Sequence, residues 1–84
     1  MDTQDLTVRL AQGSEPGTQR VSLFRRAYWI ATFHTCGETI GIAVIRRGLE
    51  AEEPVLRSRV AAIVKADQAY RQTLRRLANG EAVP

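Results

Sequence analysis

Cysteine and histidine occur once each, as Cys36 and His34, and that scarcity removes whole classes of function. A single cysteine forms no internal disulfide. The start Met1-Asp2-Thr3-Gln4-Asp5 is polar and acidic, without the apolar stretch of a signal peptide, so a cytoplasmic setting is expected. A structural zinc wants four Cys or His ligands and the chain supplies two, so no metal or other cofactor is expected. Long hydrophobic runs are missing too. The longest mostly apolar stretch, 27–45, is broken by Thr32, His34, Thr35, Gly37, Glu38 and Thr39. A membrane span needs about 20 predominantly apolar residues, so no membrane partner is expected. No internal repeat, low-complexity tract or Gly-rich phosphate loop is present. The glycines at 13 and 17 lack the Lys-Ser/Thr pair that a phosphate loop carries.

Catalytic equipment is equally thin. His34 and Cys36 stand two residues apart, which places them on one side of a strand. A thiol nucleophile also needs an orienting group and an oxyanion site, and Glu38 is the one carboxylate nearby. Glu50, Glu52 and Glu53 crowd a helix start, where the helix dipole already accounts for them. The chain is therefore expected to bind rather than to catalyse.

What is present describes one small folded domain. Its 84 residues are 44% hydrophobic and 25% charged, unlike a disordered tail. A core of this size leaves little surplus stability, so a homodimer or a larger partner completing it stays open. The net charge of +3 is unevenly spread: residues 1–53 carry six arginines against seven acids, whereas residues 54–80 carry six basic residues against Asp67 alone. Eleven of the twelve basic residues are arginine, whose planar fork suits carboxylates and phosphates. A GC-rich genome would enrich arginine equally.

Four segments follow in order. Residues 6–10 alternate apolar and polar, as a strand does. Residues 12–18, with two glycines and a proline, form a surface loop. Residues 21–35 and 39–46 are rich in β-branched and aromatic types and predict a hairpin around Cys36-Gly37. That register pairs 33 with 40 and 31 with 42, and sets Trp29, Ala31 and Phe33 beside Ile40, Ile42 and Val44 as the apolar face. Tyr28, Ile30, Thr32 and His34 then share the other face with Thr39, Gly41, Ala43 and Ile45. A helix over 20–34 is the competing reading, and Val21 and Leu23 extend the first hairpin strand backwards to meet residues 6–10.

The fourth segment, 53–78, carries Leu56, Val60, Ile63, Tyr70, Leu74 and Leu77 at alternating spacings of four and three. Pro54 suits its first turn, Arg71, Arg75 and Arg76 suit its last, and Asn79-Gly80 ends it before a tail, 79–84. A helix of about 37 Å would overhang a sheet whose strands span about 25 Å. The fold class is α+β, a small antiparallel sheet packed against one long C-terminal helix.

The candidate site residues are basic. Arg25, Arg26, Arg46 and Arg47 gather at the hairpin base, with Arg26 expected opposite Arg47. Such a cluster needs either Glu50, Glu52 and Glu53 folded back onto it or an external anion. Arg71, Arg75 and Arg76 form a strip at the helix end, of a kind that is usually solvated. Tyr28, Tyr70 and Asp67 are candidate interface positions; Asp67 stands where the helix seam expects an apolar residue. The leading expectation is a protein-binding module, an inhibitor, adaptor or assembly subunit. Chains of this size and composition are common among phage- and mobile-element-encoded modulators of host nucleic-acid-targeting machinery. The alternative is a nucleic-acid binder using the arginine clusters.

Overall fold

The computed structural model describes residues 5–80; residues 81–84 of the expected tail, and residues 1–4, lie outside the described part. The chain forms β1 (Leu6–Gln12), β2 (Thr18–Arg25), β3 (Tyr28–Cys36) and β4 (Thr39–Ile45). A 3-10 turn at Glu50–Glu52 then leads into α1 (Glu53–Ala78). The strands pair antiparallel in sequence order, β1-β2-β3-β4, and the helix lies on one face of the sheet: the expected α+β architecture.

The helical alternative for 20–34 is not adopted, and neither is one continuous strand over 21–35. A turn at Arg26-Ala27 divides that segment into β2 and β3, which pair with each other from Thr18↔Cys36 to Arg25↔Tyr28. The turn and the bulge after it reset the side-chain phase, so two short strands mimic a 3.6-residue period. β1 docks on β2 as Val21 and Leu23 predict, through Leu10↔Val21 and Val8↔Leu23. The expected loop narrows to Gly13–Gly17, closed by a Gly13 N–H to Thr18 O bond of 2.8 Å.

The hairpin register differs from the one predicted. Its turn is Gly37-Glu38, not Cys36-Gly37, because Cys36 pairs with Thr39 and Thr35 with Ile40. Gly37 sits at φ 60°, which a two-residue turn with a positive first φ demands of a glycine. Two bulges then redistribute the faces. Leu23↔Ala31 is followed by Phe24↔Trp29, leaving Ile30 as the extra residue. Phe33↔Ala43 is followed by Thr35↔Ile40, so Gly41 and Ile42 both oppose His34. Consequently Ile30 joins Ala31 and Phe33 in the core, while Trp29 moves to the far face. Ala43 and Ile45 pack inward; Ile42, at 75% exposure, and Val44, at 50%, do not.

The core lies between sheet and helix. Val21, Leu23, Ile30, Ala31 and Phe33 meet Leu56, Val60 and Val64, with Leu6, Val8, Ile40, Ala43, Ile45, Leu49 and Ile63 around them. Arg57 closes its β4 side, its guanidinium 5.6 Å from the Phe33 ring centroid and 3.5 Å from Glu53. Only the first half of α1 contributes buried residues. Past Val64 the helix faces the ends of β1 and β2 only across an open cleft.

Candidate functional site

The seven candidate arginines do not form one patch. Arg25, Arg26 and Arg46 share a shallow depression with Asp5, Tyr28, Ile30 and Leu49, where the β2–β3 turn meets the end of β4. Arg71 and Arg75 line a cleft at the opposite end of the strands, about 25 Å away at ~3.3 Å per residue. Arg76 lies in the same last turn of α1. The expected opposition of Arg26 and Arg47 is not formed. Arg26 occupies the β2–β3 turn, and Arg46 donates its N–H to Ile30 O at 2.7 Å, so the ladder around residue 46 is offset from the predicted register.

Two of the three expected internal neutralisers are otherwise engaged. Glu50 Oε2 accepts the Gly48 N–H at 2.9 Å, and Glu53 pairs with Arg57. Among the described residues, Arg25, Arg26, Arg46 and Arg47 make no ion pair. Arg46 instead covers the exposed Tyr28 ring at 5.8 Å, a contact worth about 0.5–1 kcal/mol at an exposed site.

The free half of α1 carries a different surface. Tyr70 is 62% exposed and Leu77 58%, and with Leu74 they continue the seam that Leu56, Val60 and Val64 bury. Across from Leu74 stand Leu10 and Ala11 of β1, so helix and sheet end bound a cleft of about 760 Å³. Its rim is polar and basic: Gln12, Gln19, Gln68, Arg71 and Arg75. Asp67, its side chain 18% exposed at the seam position, takes the Arg71 Nε–H at 2.9 Å within the helix and fixes that arginine at the rim. His34 and Cys36 are both exposed on β3, and among the described residues no group of three or more His, Cys, Asp or Glu could hold a metal ion.

The far face of the sheet, which the sequence register reads as an amphipathic second contact surface of Tyr28, Ile30, Thr32 and His34 with Thr39, Gly41, Ala43 and Ile45, carries a different set of residues. Pairing builds it in three rows: Thr7, Phe24 and Trp29; Arg9, Ser22, Thr32 and Val44; Ala11, Arg20 and His34. Trp29 Nε1 donates to Thr32 Oγ1 at 2.8 Å, and the Thr32 and Ser22 hydroxyls bond at 3.0 Å. The Arg9 guanidinium lies 5.1 Å from the Phe24 centroid. Alternation in β1 and β2 placed Arg9, Arg20 and Phe24 opposite the Val8, Val21 and Leu23 side chains, a signal already in the sequence. Trp29 was masked by the bulge at Ile30.

Among the described residues no helix is long and apolar enough to cross a membrane. Compared with known proteins, the chain matches no family model, no curated protein and no solved structure.

Proposed function

We propose that the chain is a non-enzymatic protein-binding module that takes an acid-flanked amphipathic segment of another protein against the free half of α1. The observation that carries this reading is the stripe Tyr70, Leu74 and Leu77, exposed on a helix whose earlier seam residues are buried. An amphipathic helix keeps its apolar stripe where something covers it, and here the sheet faces it only across an open cleft. The cleft beside Leu74, with Leu10 opposite, has the form of a helix-in-groove receptor. Arg71, Arg75 and Arg76 supply the charge that an acidic flank complements and steer its approach. A second copy would bring these arginines against their own equivalents, which disfavours self-pairing along this stripe. An inhibitor or adaptor needs nothing more than such a grip.

Leu74→Glu tests the reading, since Leu74 is half exposed and the core sits at Leu56, Val60 and Val64. The expected result is a discrete complex captured from the source cell by the wild-type chain and lost with Leu74→Glu, at unchanged thermal stability. Equal capture by both forms, or doubling of mass in the purified wild-type chain that Leu74→Glu abolishes, overturns it, the latter in favour of a homodimer.

A further inference from the structure

We infer that the open face of the sheet is a second site, and that it takes single-stranded nucleic acid. The four strands contain Arg9, Arg20, Arg25 and His34 and not one aspartate or glutamate. Arg25 alternates to the helix side with Leu23, which leaves Arg9, Arg20 and His34 on the open face. Among the described residues no second layer covers that face, because α1 packs on the other one.

Charge alone would suit any anion. The aromatic pair narrows the choice. Phe24 and Trp29 are direct cross-strand neighbours, both partly exposed, on the two central strands. Such neighbours stand about 5 Å apart at Cβ and present a continuous apolar step. An unstacked base has a π-face to lay on that step, and sequence-tolerant recognition of single strands uses aromatic platforms flanked by a basic groove. The indole is held by its bond to Thr32, so the platform is set before a ligand arrives. Arg9 lies over the Phe24 ring, so there a base meets the guanidinium plane, itself a stacking surface, while Trp29 offers its ring; Arg20 lies one row further along the sheet, next to His34. The Ser22 and Thr32 hydroxyls between them add polar partners for sugar or phosphate. A duplex keeps its bases stacked inside and would meet only the two arginines. An acidic protein would use the arginines and leave the aromatic step without a role.

Trp29 is the only tryptophan in the chain, so its fluorescence reports on this face directly. The experiment titrates the full chain against single-stranded DNA and RNA of about 12 nucleotides, the matching duplex, and polyglutamate. Single strands are expected to bind at least tenfold tighter than duplex or polyglutamate and to quench Trp29. Two phosphate contacts weaken single-strand binding about sevenfold between ~50 and ~200 mM salt, and Arg9→Gln with Arg20→Gln should flatten that dependence. Phe24→Leu keeps apolar cover on the sheet but removes the ring, and should cost about fivefold or more. Absence of binding at low salt overturns the inference. So does equal affinity for polyglutamate, which would reassign the face to an acidic protein, or binding that leaves Trp29 emission and the Arg9/Arg20 variants unaffected. Leu74→Glu should leave the titration unchanged, which keeps this result separate from the fate of the helix surface.

Discussion

Arg26 is the one non-glycine described residue with positive φ, at 57°, in the turn that splits β2 from β3. A left-handed backbone brings Cβ against the following carbonyl and costs an L-residue roughly 1 kcal/mol, which glycine avoids. The side chain itself is exposed and makes no ion pair among the described residues. Arg26→Gly is therefore expected to stabilise the fold by about 0.5 kcal/mol, the strain relieved being partly offset by the added freedom of the unfolded chain. A denaturant midpoint that rises at constant slope would show this; a midpoint that falls would mean the arginine side chain is held by something other than its turn. Tight turns of two residues usually place glycine or asparagine at such a position, so an arginine there gave no turn signal. That is why residues 21–35 read as one strand, and why the pairing of Arg26 with Arg47 was misplaced.

At the level of elements, legibility followed local chemistry. The helix carries its own start, seam and stop in Pro54, the four-and-three spacing and Asn79-Gly80. It runs over Glu53–Ala78, with the Gly80 N–H closing on Leu77 O at 3.1 Å. β1 was legible from alternation alone. The hairpin faces were not, because a bulge leaves no local mark: one extra residue at Ile30, and another beside Gly41, invert the pattern beyond them. The consequence is testable along β4. Ile42→Lys, at a side chain already 75% exposed, should change stability by less than about 0.5 kcal/mol. Ala43→Lys points a long charged chain at the helix and should cost about 1–3 kcal/mol. The predicted register demands the reverse order, so one pair of unfolding curves decides between them. The two surfaces split in the same way. Tyr70, Leu74 and Leu77 could be read off the helical period, whereas the open-face platform needed the true position of Trp29.

At the scale of the molecule, the free half of α1 dominates the shape. The described chain measures 49 × 28 × 22 Å, and its Cα radius of gyration is 14.5 Å, against about 12 Å for a compact chain of this length. The extra extent is the stretch of helix past Val64, so the elongation and the unburied stripe have one cause. The helix surface and the open sheet face lie on opposite sides of a single core layer. Apart from Ala11 at the end of β1, which borders both, they share no residue: Leu10, Arg71, Leu74 and Arg75 line one, and Arg9, Arg20, Phe24 and Trp29 the other. Substitutions without shared partners add to within roughly 0.5 kcal/mol, and a packed sheet with no hinge between the sites gives them little to couple through. Occupying one site should therefore change the Kd at the other by no more than about twofold. The measurement is a single-strand titration with and without saturating protein partner. Unchanged affinity fits a connector that holds both ligands at once, on either side of a layer that keeps them apart. Mutual exclusion would instead mean that both ligands compete for the arginines at one end of the sheet.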